Sequence, residues 1–172
     1  MSERIDVSIE HKHAPREDGA RPHPNTCPRC GSHYRDDELA AHLNVCPHCG
    51  HHFPVHAHER IRQLTDKDSF VEEAAELRSD DPLGFYDLRP YTERLAEAEL
   101  STGLGEAMVI GRAEIEEQPC QLALMEFGFM GGSMGRVVGE KFARACESAA
   151  ERRVPLVSVT TTGGARMQEG IL

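Results

Sequence analysis

Four cysteines fall in two pairs, Cys27-Pro28-Arg29-Cys30-Gly31 and Cys46-Pro47-His48-Cys49-Gly50, with fifteen residues between Cys30 and Cys46. Two residues between paired cysteines suit a tight knuckle turn, and two knuckles bring four thiolates to one tetrahedral ion. Each pair is followed by glycine, the residue a knuckle tolerates best where the backbone turns left-handed. Residues 27–53 are too few to bury an apolar core, so metal binding and folding are expected to be one equilibrium there. The alternatives are two disulfides or four free thiols. The first ten residues have neither a basic n-region nor an apolar h-region, so a cytoplasmic, reducing location is expected and disulfides are disfavoured. One structural zinc on Cys27, Cys30, Cys46 and Cys49 is therefore the expectation. Since four cysteines complete the tetrahedron, His33, His42, His48, His51 and His52 are not expected to be ligands.

All ten histidines lie between His11 and His58, which marks a change of character and a first domain boundary. Before the ribbon, residues 1–26 carry Pro15, Pro22 and Pro24 and little apolar periodicity, and read as a flexible leader. The chain of 172 residues has a formal net charge of -10, which opposes a broad grip on nucleic acid or an anionic membrane. No apolar run approaches the roughly 18 residues a membrane span needs.

Downstream, Ile61 and Leu64 punctuate a charged segment at helical spacing, and residues 69–77 repeat the pattern, so short helices are expected over 56–66 and 69–77. A third is expected over 91–100, behind Pro90. Together, 54–101 read as a helical linker region. Residues 107–115 and 121–129 read as two adjacent strands, expected as antiparallel partners across a turn at 116–119. A helix over 136–153 follows, with Val138, Phe142, Ala145, Cys146 and Ala149 on its apolar side. Residues 154–159 read as a buried strand, and a new helix is expected near Ala165. The fold class is thus α/β, preceded by a small zinc ribbon.

Two glycine-rich turns join strands to helices: Phe127-Gly128-Phe129-Met130-Gly131-Gly132-Ser133-Met134-Gly135 and Thr162-Gly163-Gly164-Ala165-Arg166-Met167-Gln168-Glu169-Gly170. Neither matches the dinucleotide or P-loop pattern. Each is either a plain turn or a ligand loop. In the second, the amides of Gly163 and Gly164 have the freedom to approach a developing oxyanion. Arg166 either meets a carboxylate or phosphate or pairs with Glu169. Cys120 and Cys146 lie on apolar segments and read as small hydrophobes. No Ser-His-Asp, paired-carboxylate or His-Glu-x-x-His set can be assembled, because every histidine precedes the α/β segment.

Taken in order, the cysteine pairs, the run Glu126 to Gly135 and the run Gly163 to Glu169 resemble the carboxyltransferase beta subunits of bacterial-type acetyl-CoA carboxylase. The resemblance implies a crotonase-like α/β fold of ββα units, incomplete here because the family continues past the point matching Leu172. It implies transfer of a carboxyl group from carboxybiotin to acetyl-CoA, giving malonyl-CoA for fatty acid biosynthesis within an ATP-binding assembly. It implies a carboxyltransferase alpha subunit in an α2β2 assembly, a biotin carboxyl carrier protein and a biotin carboxylase as partners. Gly163 and Gly164 would be the catalytic oxyanion donors, and Gly131, Gly132 and Arg166 would serve cofactor binding. The triplet Thr160-Thr161-Thr162 departs from the small Ser or Ala residues more usual in the family. Two other readings stay open: a truncated non-catalytic fragment, and a ribbon that binds nucleic acid. Against the latter, residues 27–53 offer Arg29 and Arg35 against Asp36, Asp37 and Glu38.

Overall fold

The computed structural model describes residues 26–170, so the leader expectation lies outside the described residues apart from Thr26. The chain divides into two compact units, Met1–Phe53 and Pro54–Leu172. In the first, the two knuckles are built alike. Gly31 N donates to Cys27 O and Gly50 N to Cys46 O, both at 2.9 Å, while Cys27 N donates to Ser32 O and Cys46 N to His51 O, both at 2.8 Å. Gly31 and Gly50 sit at φ 74° and 69°, where an L side chain would be strained. A short helix α1 (Asp36–Ala41), which the spacing of apolar residues does not reveal, bridges the knuckles. Tyr34, Leu39 and Phe53 pack around Cys27 and Cys46 as the only apolar filling among the described residues of this unit.

The second unit is a four-stranded sheet of β1 (Val71–Glu73), β2 (Met108–Ile115), β3 (Gln118–Met125) and β4 (Leu156–Val159), in that spatial order. β1, β2 and β3 are antiparallel; β4 joins β3 in parallel. A parallel neighbour requires a crossover, and the long helix α4 (Arg136–Arg152) provides it, packing on β2 and β3. Helices α2 (Ala57–Leu64) and α3 (Tyr91–Thr102) bury Ala57, Ile61, Tyr91, Leu95 and Ala98 in the same core. Residues 54–101 are therefore part of the domain rather than a linker. No helix among the described residues is long and apolar enough to cross a membrane.

Three expectations are corrected. Residues 69–77 form no helix. Val71–Glu73 is an edge strand instead, because Gly111 of β2 leaves room: a Cβ there would lie 2.3 Å from Val71 O and 2.7 Å from the Phe70 ring. On α4 the buried face is Val138, Lys141, Ala145 and Ala149, with Phe142 and Cys146 exposed. Lys141 takes the inner position because its Nζ donates to Met108 O at 3.0 Å, and burial lowers its pKa. In place of a helix near Ala165 there is only a 3-10 turn, Met167–Glu169.

The β2–β3 connection is tighter than expected, with Pro119 already paired to Glu114 and only Glu116 and Glu117 in the turn. Both have positive φ, 50° and 62°, as the primed hairpin turns demand, normally of Asn and Gly. Asp66 holds them there: its Oδ1 accepts the Glu116 amide at 3.0 Å and its Oδ2 the Glu117 amide at 2.7 Å. Replacing Asp66 by Ala should lower the stability of this unit by about 1–3 kcal/mol, because two strained amides lose a charged acceptor. Chemical denaturation of the variant checks this, and an unchanged midpoint would remove Asp66 from the account of the turn.

Candidate functional site

The two glycine turns leave the sheet at neighbouring points, after the ends of β3 and β4. They are mated to one another through the backbone. Met134 N donates to Gly164 O at 2.8 Å, Arg166 N to Met134 O at 3.0 Å and Gly163 N to Gly131 O at 2.9 Å. The approach is so close that a Cβ on Gly132 would stand 2.2 Å from Thr161 O. Met130, Gly131 and Gly132 run through positive φ in succession, 48°, 67° and 64°. Gly132 is thus required by contact with the second turn, and Gly131 by its left-handed backbone.

Beneath the mated turns lies Arg166, whose side chain is fully buried. Its Nη1 donates to Glu106 Oε2 at 2.8 Å and its Nη2 to Ser133 O at 2.7 Å, while Nε donates to Ser133 Oγ at 3.0 Å. Nη1 also reaches Tyr91 Oη, Glu169 Oε1 and Ser79 Oγ. The guanidinium stacks 5.5 Å from the centroid of Phe129. Burial alone would lower the Arg166 pKa, but the Glu106 carboxylate more than offsets it and holds the group raised. Glu169 Oε1 accepts the Tyr91 hydroxyl at 2.6 Å, and its Oε2 accepts the Arg136 amide at 2.7 Å, at the start of α4. Burial would raise the Glu169 pKa, yet the Tyr91 and Arg136 donors keep it below the ordinary glutamate value.

A third buried carboxylate, Glu126, directly follows β3. Its Oε2 accepts the Ala57 amide at the start of α2 at 2.7 Å, and its Oε1 accepts the Gly128 amide at 2.7 Å. Exposed His56 lies 3.3 Å from the same Oε1. The Phe127–Gly128 corner separates two clefts. One, of about 440 Å³, is lined by His56, Arg60, Met125, Phe127 and Thr161 at the carboxyl ends of β3 and β4. The other, of about 450 Å³, is lined by Arg89, Arg94, Ser101, Met130 and Gln168. Crevices outside the carboxyl ends of parallel strands are where α/β sheets receive ligands.

These positions bear on three sequence-derived site assignments. Gly163 and Gly164 are not a pair of free donors: the Gly163 amide is spent on Gly131 O, and the Gly164 amide is covered at 3.0 Å by the Thr162 hydroxyl. Neither glycine lines the two clefts. Gly131 and Gly132 serve the contact between turns. Arg166 meets protein carboxylates and has no donor left for a ligand, which is the Glu169-paired alternative extended to Glu106 and Tyr91. Sequence reasoning missed Tyr91, Glu106 and Glu126. Each is an ordinary polar residue flanking an apolar segment, and nothing local in the sequence reveals that it is buried with a distant partner.

The four ribbon cysteines do converge: their Sγ atoms all lie within 4.8 Å of one another, a donor set that could bind zinc. Cys27 Sγ is 3.6 Å from Cys49 Sγ, and Cys30 Sγ is 3.7 Å from Cys46 Sγ. All four are free thiols, so no disulfide joins them. These spacings fit a tetrahedron with metal–sulfur bonds of about 2.3 Å, whose edges are about 3.8 Å. Burial opposes ionisation of Cys27, yet nearby donors, the Arg29 amide 3.4 Å from its Sγ among them, hold its pKa down at about 6. The Ser32 hydroxyl and amide lower Cys30 as well, while burial pushes Cys49 up to about 12. Full ionisation of four crowded thiols is what a bound cation would compensate.

Comparison with known proteins adds the family. The carboxyl transferase domain model matches residues 54–172. The chain is 48% identical over 146 residues to the acetyl-coenzyme A carboxylase carboxyl transferase subunit beta of Synechococcus sp. (strain RCC307), covering 85% of this chain and 50% of that protein. It is 49% identical over the same length to the subunit of that name from Gloeobacter violaceus, covering 42% of that protein. The chain thus spans about half the length of the curated relatives it matches. Among solved structures, a transcarboxylase 12S with hydrolysed methylmalonyl-coenzyme A bound superposes with a TM-score of 0.54 at 29% identity, over 67% of this chain and 20% of that one.

Removing the Arg166 guanidinium should be severe. Arg166→Ala leaves Glu106 buried without its cation and should cost about 3–5 kcal/mol in denaturant unfolding; a loss below about 1 kcal/mol would contradict the network. Because Glu169 has a depressed pKa in the folded state, its contribution is complete above the ordinary value of 4.5 and is lost as pH falls through the folded value. The destabilisation by Glu169→Gln should accordingly be large at pH 7 and shrink below pH 4, and a pH-independent difference would refute the assignment.

Proposed function

The chain belongs to the carboxyl transferase family, and from that premise we propose that it is the amino-terminal portion of an acetyl-CoA carboxylase carboxyltransferase beta subunit. In this reading it takes part in moving a carboxyl group from carboxybiotin, borne on a biotin carboxyl carrier protein, to acetyl-CoA. The product is malonyl-CoA, for fatty acid biosynthesis. The observation that carries the proposal is the match over 85% of the chain to proteins of that name, together with the carboxyl transferase domain match over residues 54–172, which spans both glycine turns. The partners are a carboxyltransferase alpha subunit in an α2β2 assembly and the biotin carboxylase that recharges the carrier.

The chain's own contribution is orientation. The buried Arg166–Glu106–Glu169 network holds the second glycine turn against the first, and Glu126 holds the corner between the two clefts. Of the two glycine amides, Gly164 is the oxyanion donor in this reading. Its cover is a single exposed threonine hydroxyl, which can rotate away when a thioester oxygen arrives, whereas the Gly163 amide is fixed in backbone pairing. A preorganised donor of this kind is worth about two to three orders of magnitude in rate. A ligand seated in the cleft at the ends of β3 and β4 would pass Thr161, adjacent to that hydroxyl.

The ribbon would hold one zinc on Cys27, Cys30, Cys46 and Cys49. A four-thiolate site is coordinatively closed, so the ion supplies folding energy to a unit with almost no apolar core. The half-length match favours one further statement: catalysis requires the remainder of the family's beta subunit.

The decisive assay supplies the chain with alpha subunit and carboxylated carrier, with and without the segment of a relative's beta subunit that this chain does not match. Malonyl-CoA should form only when that segment is present; no product in either case would leave a non-catalytic fragment as the reading. Separately, Cys46→Ser should purify without stoichiometric zinc by elemental analysis, and full zinc retention would defeat the ligand assignment.

A further inference from the structure

Tyr34 stands where the ribbon's small core meets its four thiols. It is 7% exposed and belongs to one buried cluster with Cys27 and Cys46. Its ring is fixed by an edge-on contact with Phe53, at 5.6 Å between centroids and 84° between planes. Its hydroxyl is fully buried and finds no hydrogen-bond partner among the described residues. Burying a hydroxyl without a partner is costly, and a buried tyrosine is ordinarily placed where its O–H finds an acceptor. A phenylalanine would fill the same space at no such cost. The other buried residues of its cluster are Cys27 and Cys46, so the hydroxyl sits among sulfurs and not among carbonyls.

A neutral thiol is a weak acceptor. A thiolate is a strong one, and hydrogen bonds to a charged acceptor are about twice as strong as neutral ones. Two further groups reach this sulfur set: Arg29 N lies 3.4 Å from Cys27 Sγ, and the Ser32 hydroxyl lies 3.2 Å from Cys30 Sγ. The Tyr34 hydroxyl has no structural duty besides the thiolates, since its ring already makes the packing contact.

We propose that Tyr34 is a positioning residue for the ribbon metal: its hydroxyl donates to the Cys27–Cys46 side of the four-thiolate set once those sulfurs are ionised by zinc. The inference rests on the zinc reading given above. The hydrogen bond disperses negative charge on the coordinated sulfurs and ties the metal centre to the Tyr34–Phe53 packing, so that loss of the ion and loosening of the core are one event. Outer partners of metal ligands are commonly worth about 10–100-fold in metal affinity.

The test compares wild type, Tyr34→Phe, which keeps the ring, and Phe53→Leu, which keeps the hydroxyl while loosening the packing. Zinc content of the wild type is measured first; if it binds none, the zinc reading fails irrespective of Tyr34. With zinc bound, Tyr34→Phe should surrender the ion to a chromophoric chelator about tenfold faster or more. In the cobalt(II)-substituted proteins, its sulfur-to-cobalt charge-transfer bands should shift to lower energy, because sulfur without the donor is more electron-rich. Phe53→Leu should leave those bands in place even where it lowers stability. Loss of all metal by Tyr34→Phe alone, with Phe53→Leu still loaded, supports the same assignment. Unchanged transfer rate and bands in Tyr34→Phe, or an equal band shift in both variants, would overturn it.

Discussion

Arg166 carries a full charge in a position with no access to water, and the architecture around it follows from that fact. A buried guanidinium is tolerated only if every N–H finds an acceptor and its charge is matched. Here one matching carboxylate, Glu106 just before β2, comes from a distant part of the chain, and the other, Glu169, lies three residues on and is itself tied to Tyr91 of α3 and to the first amide of α4. One cation thereby fixes the entrance of the central hairpin, one helix face, the start of the crossover helix and both glycine turns. The turns can then approach through bare backbone, which explains the glycine at position 132, where a single methyl would collide with Thr161 O.

This arrangement changes how the glycine-rich segments are understood. Considered as isolated strings, each offers amides to a ligand. In the folded unit the amides of Met134, Gly163 and Arg166 are given to the partner turn, several others close hydrogen bonds within their own turn, and the one at Gly164 is covered by an exposed side chain. The cost of bringing two irregular segments into register is met by the ion network below and by Glu126 at the corner, so the neighbouring clefts keep their shape without any ligand. The cysteine ribbon solves a different problem with the same economy of apolar surface. Three of its described residues are buried, two of them cysteines, and it relies on repeated knuckle hydrogen bonds to bring four sulfurs together.

Much was legible from residue order. The cysteine spacing announced a convergent thiol set; the apolar runs announced β2, β3, α4 and β4 to within a few residues; and the motifs taken in order pointed to the family. What was not legible shares one feature, dependence on a partner far away in the chain. Residues 69–77 have a helix-compatible pattern, but strand β1 forms because Gly111, about forty residues later, leaves it a place at the sheet edge. Phe142 looked like core and Lys141 like surface. The carbonyl of Met108 reverses them, since it gives the lysine a buried acceptor. A tight Glu-Glu turn contradicts local propensity, and Asp66 across the hairpin overrides it.

Sequence alone therefore determined the donor atoms of the ribbon, the order of the main elements and the family, because these depend on residue type and short spacing. Tertiary structure alone decided which polar groups are spent. Whether an arginine is a ligand grip or a buried strut, whether a glycine amide is free or paired, and whether a glutamate is solvated or anchors a corner depend on what lies within 3 Å. Such distances are set by long-range packing, to which local periodicity is blind.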